Sequence, residues 1–515
     1  MTRPVWYRPA LTSTGWLDPS TGAGILDSGR HIFARPTDRR RRVPDLADLL
    51  DTLAAAGVSR AYLSGPNFPA AWFTYASGRP GGWRPGPGGH YQDLADPRLT
   101  FERDTPAGLE RVELRRAAAW GLAPETTPGD ARDAWGALAR ALSTMWRPPE
   151  GVGLVLTTPT GTGQQLAALA APAGWDGAQV DFDVAELIRR TSPQHRIEVT
   201  GACWSGCDAH SPRAAGEHAP VHYLDARFSY GSLLRELGTA PATRLSRWET
   251  FDRLERDPFG RWRGRVTFTV PPGWQHPGML MEPHPNGRNW HAPNRPGYRG
   301  ETWADSVELV VALRAGWKLE PLEGLAFHRP AAGAGPLDNW GRRLLELWAR
   351  LGKSSEPGDR LAATMVRAVV LKTVGSFHST GRRVRHVGWP IDVPAEGVSQ
   401  VRDLDDGRVT WTTREAAKGA AAAWVRPELS SQIWGRAHAR LAMGPGGAGF
   451  LQLAPGAVVA MWGDALFVAG ECPTWPDDGK AGRYRIKAAS NGSIPLPADI
   501  RGLITLRTNL EAQNG

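Results

Sequence analysis

The stretch VHYLDARFSYGSLLREL, Val221 to Leu237, decides how this chain is read. Its apolar run has the look of a strand ending at Asp225. Tyr230 follows five residues on, and Ser232-Leu233-Leu234 is expected to open a helix. A carboxylate at a strand end, followed by backbone amides that turn into a helix, can hold a cation and an anion side by side. Taken alone, Asp225 reads more simply as the cap of a turn. A second stretch, GAVVAMWGDALFVAGE (Gly456 to Glu471), has two β-rich runs flanking Gly463-Asp464, the pattern of a hairpin. An aspartate at such a tip is ordinarily a turn residue. A third, RLAATMVRAVVLKTVGSFHSTGRR (Arg360 to Arg383), has apolar positions that fit one buried helix face, with Lys372 near its middle. A lone helix lysine is ordinarily solvated.

Around these stretches lie 515 residues, which at roughly 100–200 per domain suggests about three domains. With 41% hydrophobic and 22% charged residues, the chain can build cores and is not disordered as a whole. No run approaches the roughly 18 apolar residues of a membrane span, and the N-terminus lacks signal-peptide architecture, so a soluble, cytoplasmic protein without a membrane partner is expected. Its three cysteines cannot make a disulfide framework. Cys203 and Cys207, with His210 nearby, lack the second pair that a zinc site needs and read as structural thiols. The net charge is +9 and arginine carries nearly all of the positive charge, since only Lys318, Lys353, Lys372, Lys418, Lys480 and Lys487 are lysines. Arginine's planar fork suits phosphates, although a GC-rich coding sequence explains most of such a bias.

Along the chain, Asp45 to Gly57 reads as a helix followed by a strand at SRAYLSG. Gly78 to His90 reads as a linker or long loop, and GVGLVLTTP as strand-like. Gly161-Thr162-Gly163 lacks the lysine of a phosphate loop and reads as a turn. Gly273 to Gly300 looks hinge-like, Glu301 to Val387 mostly helical, and Val401 onward largely short strands and turns. No internal repeat is visible, and the elements interleave as in an α+β chain.

Together the three stretches resemble the palm motifs of family B DNA polymerases, in the family's order. DARFSYGS (Asp225 to Ser232) lies without a gap over motif A, D-x2-S-L-Y-P-S, keeping Asp225, Tyr230 and Ser232. AMWGDALFV lies over motif C, Y-G-D-T-D-S, in two registers: Asp464 falls on the second aspartate in the preferred one, and Leu466 takes that place in the other. KTVGSFHST supplies the lysine of motif B, Lys372, and little else. Trp303 to Phe327 is similar to the helix-then-strand segment of the palm. Departures from the pattern are Trp462 at the first motif C aspartate (preferred register), Ser376 and Ser379 in motif B, and Gly231 for the motif A proline.

The resemblance implies an α+β right-hand architecture with a ferredoxin-like palm, helical fingers and an RNase H-like N-terminal domain. Its expected bounds are 1–200 for a degenerate exonuclease-like domain, 201–330 and 399–490 for the palm, 331–398 for the fingers and 491–515 for a short thumb or tail. It implies that Asp225 and Asp464 bind two Mg²⁺ ions, with Mn²⁺ as a substitute. Backbone amides of Ala226, Arg227, Phe228 and Ser229 would cradle a triphosphate, and Lys372, Arg360 and Arg367 would neutralise it. Tyr230 would sit under the sugar, and Lys480 or Lys487 would contact the primer terminus. The implied partners are primer-template DNA, dNTPs and a replication accessory or priming protein, and the implied setting a plasmid, phage or mobile element. In the N-terminal region, GWLDPSTGAGILDSG fits the first strand-turn of an exonuclease domain, but no Asp-x-Glu follows Trp16. Pro69 also falls where a metal-binding aspartate belongs, so proofreading is not expected. A polymerase-like protein that binds DNA without catalysis, and a nuclease using the same aspartates, are the other readings of these residues.

Overall fold

The computed structural model describes residues 14–65, 82–85, 99–148, 153–173, 175, 177–194, 196–201, 208–211, 216–284, 290–331, 333–379, 381–403, 407–415 and 420–513. Cys203, Cys207, the Asn67–Pro69 segment and most of the Gly78–His90 linker lie outside these residues. The chain divides into two compact units, Met1–Leu169 with Glu346–Val425, and Ala170–Leu345 with Arg426–Gly515. Among the described residues no helix is long and apolar enough to cross a membrane.

The first unit is built on a seven-stranded sheet. Its strands Thr14–Leu17, Ala23–Leu26 and His31–Phe33 run antiparallel, and Arg60–Leu63 lies parallel to the first of them. Three antiparallel strands with a parallel fourth beside the first is the RNase H-like arrangement expected here. Successive strand residues face opposite sides, and both sides are filled. Leu17, Ala61 and Leu63 bury against Leu49, Leu50 and Leu53 of the helix Leu46–Ala55, which Asp45 caps reciprocally with Asp48. On the other side Trp16 and Tyr62, paired across the parallel strands, meet Trp135 of the helix Pro128–Trp146.

Two local expectations fail in this unit. The described part of GVGLVLTTP forms no strand, and TPTGTGQQ is not a turn, because Pro159 opens the helix Pro159–Ala170. Proline at a first helical position loses no hydrogen bond. Gly163 serves packing: a Cβ there would overlap the Thr373 hydroxyl of the helix Pro357–Phe377.

The second unit holds a five-stranded antiparallel sheet in the order Tyr484–Ala489, Val221–Ala226, Ala465–Ala469, Val458–Trp462, Ile197–Val199. Alternation sorts its side chains cleanly. Val221, Tyr223, Ala465 and Phe467 pack under Leu503, Leu506 and Leu510 of the C-terminal helix Ile500–Gln513. Leu224, Ala226, Leu466 and Val468 face the larger core with Leu309, Leu441 and Phe450. A four-stranded antiparallel sheet, in the order Thr239–Leu245, Lys318–His328, Trp262–Thr269, Arg299–Asp305, completes the unit. The helix-then-strand reading of Trp303 to Phe327 matches Ser306–Arg314 followed by Lys318–His328.

Here too the sequence misleads in places. The described part of Gly273 to Gly300 is packed, with Met279, Leu280 and Met281 buried and Tyr298 donating to Glu282 at 2.6 Å. Val401 onward is not only strands and turns, because Pro427–Ala442 is a helix. Nearly every face of it is buried, which erases the polar stripe that marks a helix in sequence.

That helix carries a charge that folding disfavours. Glu428 is fully buried, and the nearest cation, Arg426 Nη1, stands 3.6 Å away. Arg426 itself is satisfied by the carbonyls of Gly177 and Ala178 and by the ring of Trp175. Burial pushes the Glu428 carboxyl up to about 7, with Arg426 only partly opposing it. A folded value above the ordinary 4.5 means that the native state favours the proton. This contribution to stability is complete below pH 4.5 and is lost as the pH rises through about 7. Glu428→Gln is therefore expected to match the parent in thermal unfolding near pH 4.5 and to exceed it at pH 8, by on the order of 1–3 kcal/mol. Equal melting curves at pH 8 would refute the assignment.

Candidate active site

The two aspartates lie at the same end of the five-stranded sheet. Val221–Ala226 pairs with Ala465–Ala469 in the register Val221↔Ala469, Tyr223↔Phe467, Asp225↔Ala465. Trp462 pairs with Ala465 in turn, which leaves Gly463 and Asp464 as a two-residue hairpin loop. Gly463 has φ of 64° and Asp464 has no positive φ, the pattern of a II′ turn. The residue directly across from Asp225 is thus Ala465, and Asp464 is its chain neighbour at the tip. Asp225 is only 5% exposed and Asp464 half-buried. Both act on one group: burial first, then Asp464 and Asp225, raise the phenol of Tyr484 far above its usual range.

The strand does not run into an α-helix after Asp225. Phe228 takes a left-handed conformation at φ 43°, and Tyr230–Leu233 makes a single 3-10 turn. Both the amide and the hydroxyl of Ser232 donate to the Ser229 carbonyl, at 3.1 and 2.6 Å, which closes the turn after three residues. Gly231, where the family has proline, lies under the Phe228 ring: a Cβ would come within 2.5 Å of it. Tyr230 opens the turn half-buried, its phenol raised by burial and by Asp464.

Of the expected amide cradle, Ala226 is buried within the sheet and the Arg227 amide already donates to the Arg483 carbonyl at 2.9 Å. Any cradle therefore begins at Phe228. The Arg227 side chain grips Asp477 through two bonds of 2.9 and 2.6 Å. Ser229 is 3% exposed and its hydroxyl has no partner among the described residues.

The predicted lysines belong to different segments of the chain. Lys487 lies over the Tyr223 ring and bonds Glu511 of the C-terminal helix at 2.6 Å. Burial works against its charge, but Glu511, Tyr223 and Asp225 outweigh it and raise its pKa. Lys480 is exposed and pairs with Asp478. Lys372, Arg360 and Arg367 belong to the helix Pro357–Phe377 of the first unit. Arg360 and Arg367, seven residues apart, share a helix face, whereas Lys372 is turned from Arg367 by about 140°. Arg360 bonds the carbonyls of Ser354 and Ser355.

Sequence reading missed two residues, Tyr484 and Arg440. Arg440, on the helix Pro427–Ala442, donates from Nη1 to the Ser232 hydroxyl at 2.6 Å and to the Ser229 carbonyl at 3.4 Å. Neither lies within the three stretches laid over motifs A, B and C. The only available signal, Pro427 at a helix start, concerned the fold rather than the site.

Among the described residues no group of three or more His, Cys, Asp or Glu forms a metal cluster. Two carboxylates at one sheet end nevertheless suit Mg²⁺, which keeps waters and substrate phosphates in much of its shell. In the first unit, the sheet face bearing Trp16 and Tyr62 is aromatic, with Tyr62 and Trp120 each 4.4 Å from Trp135.

No protein-family model matches the sequence, and no curated protein matches it. Solved structures do. Phi29 DNA polymerase, as a ternary complex with primer-template DNA and incoming nucleotide, aligns over 93% of this chain and 84% of its own at TM-score 0.53 and 9% identity. Its orthorhombic crystal form aligns over 94% and 86% at TM-score 0.54 and 10% identity. This chain has the fold of a family B DNA polymerase. The α+β class expected from sequence is the one observed. Within that polymerase fold, the Phe228–Gly231 contact is testable. Gly231→Ala is expected to destabilise the chain by about 1–3 kcal/mol in denaturant unfolding, and an unchanged midpoint would show that the ring yields freely.

Proposed function

We propose that the chain is a template-directed DNA polymerase that adds dNTPs to a primer 3′ end and lacks proofreading. The observation that supports this reading is the approach of Asp225 and Asp464 at the ends of adjacent strands, beside the turn that follows Asp225. In this proposal Asp225 and Asp464 hold Mg²⁺, with Mn²⁺ able to substitute. The bound ions supply charge neutralisation at the attacking and leaving oxygens of an in-line phosphoryl displacement. The amides from Phe228 onward bind and orient the triphosphate, and Tyr230 limits the space at the sugar. Lys372, with Arg360 or Arg367, adds positive charge. Lys480 or Lys487 meets the primer terminus, with Lys480 the freer of the two. The palm would span 201–330 and 399–490, the fingers 331–398, and the exonuclease-like domain 1–200 would serve as scaffold. A plasmid, phage or mobile element is the proposed setting, with a cytoplasmic location and a priming or accessory protein as further partner.

A second reading, a polymerase-like DNA binder without catalysis, is favoured by one observation: the position facing Asp225 is alanine. Side chains directly opposite on antiparallel strands share a face, and Ala465 leaves that face with a single carboxylate.

Primer extension with Mg²⁺ or Mn²⁺ separates the two. The parent is expected to extend a labelled primer with dNTPs in a template-dependent way, with rNTPs used poorly. Asp225→Asn and Asp464→Asn are each expected to lower the rate at least about 100-fold. Tight DNA binding with no extension by the parent in either metal would establish the silent binder. The same reactions without dNTPs are expected to leave the primer 3′ end intact, and its shortening would overturn the absence of proofreading.

A further inference from the structure

Two arginines stand one turn apart on the helix Pro427–Ala442, and their forks are engaged unequally. Arg436 donates from Nη1 to the carbonyls of Leu233 and Arg235, and from Nη2 to that of Glu236. It is a clamp on the chain that leaves the 3-10 turn. Arg440 uses only Nη1, on the Ser232 hydroxyl and the Ser229 carbonyl. Its Nε and Nη2 make no hydrogen bond, and it forms no ion pair, among the described residues. A guanidinium has five donors in a fixed fork, so half-buried Arg440 retains most of its capacity for a ligand. Burial lowers its pKa, while Tyr484 and Asp464 partly oppose that.

The surroundings are cut to hold it. Gly482 has φ of 83°, and a Cβ there would fall 2.5 Å from Arg440 Nη1 and 2.9 Å from the Ser232 hydroxyl. Gly482 is fixed in turn by its amide, which donates to the Arg227 carbonyl at 2.6 Å. The carbonyl of Ser229 thus accepts from Arg440, while its buried hydroxyl has no partner. An unsaturated cation and an unpaired hydroxyl share one turn, immediately after the strand of Asp225. Phosphate oxygens satisfy both, because a guanidinium fork matches them and a hydroxyl can donate to them.

We propose that Arg440, with the Ser229 hydroxyl, binds a phosphate group of the incoming nucleoside triphosphate, a substrate-binding role for a palm helix. This rests on the nucleotidyl-transfer reading for the identity of the ligand, but anion binding can be read without turnover.

The test is equilibrium binding of dATP, deoxyadenosine and inorganic tripolyphosphate to the full chain in Mg²⁺, alongside primer extension. Arg440→Gln is expected to weaken dATP and tripolyphosphate about 10- to 100-fold, with deoxyadenosine and duplex DNA affinity unchanged. Arg440→Lys should lose less, Ser229→Ala should weaken both polyphosphates, and free guanidinium should partly restore dATP binding to Arg440→Gln. A folded Arg440→Gln that binds dATP and tripolyphosphate like the parent would show that Arg440 only holds the turn. Should that variant not fold, parent-like binding by both Arg440→Lys and Ser229→Ala overturns the proposal equally. A parent that binds neither polyphosphate also overturns it. A parent that binds tripolyphosphate through Arg440 yet extends no primer leaves the anion site standing and removes the polymerase reading.

Discussion

The pairing of Val221–Ala226 with Ala465–Ala469 is the constraint on which the site depends. Antiparallel register has a period of two, so a slip by one residue would turn Asp225 from the Tyr223 face to the Leu224 face. That slip is blocked from both sides, by Tyr223 stacked on Phe467 with ring centroids 4.6 Å apart and by Leu224 and Leu466 in the larger core. The tight loop at Gly463-Asp464 then fixes where the second carboxylate stands. Nothing in the site is adjustable without repacking one of these two layers. The acidic end of the sheet is therefore held by apolar contacts well away from any charge.

Around that end, polar groups are organised by helices rather than by the sheet. Arg440 reaches the turn from Pro427–Ala442, Lys487 is drawn to Glu511, and Arg507 lies 4.9 Å over the ring of Trp462. The C-terminal helix packs on the same sheet face as Tyr223 and Ala465. Trp462 thus forms part of the seat for that helix.

The fold was legible where one residue type decides the local geometry. Gly463-Asp464 between two β-rich runs gave the hairpin, and Asp45 ahead of an apolar periodicity gave a helix start. The order of the three stretches was enough to indicate the polymerase architecture. What stayed hidden has physical causes. Pro427–Ala442 is buried on nearly all sides and shows no amphipathic period. The helix expected at Ser232 stops after one turn because the Ser229 carbonyl is taken by both the amide and the hydroxyl of Ser232. Arg440 and Tyr484 enter the site through packing between elements distant in sequence, which no local pattern encodes. The offset between Asp225 and Asp464 is likewise a property of strand register, and motif spacing carries no information about it.

Gly482 gives the site a historical dimension. Its backbone conformation admits glycine readily and asparagine with some strain, and while position 440 is arginine any Cβ at 482 must push the guanidinium aside. Positions 440 and 482 should therefore be locked in sequence drift. A lineage that shortens residue 440 removes the closest contact at position 482 and leaves the Ser232 hydroxyl to turn aside, whereas one that first acquires a side chain at 482 must displace the guanidinium as well. Among diverged relatives the two positions are expected to change as a pair, with residue 440 moving first.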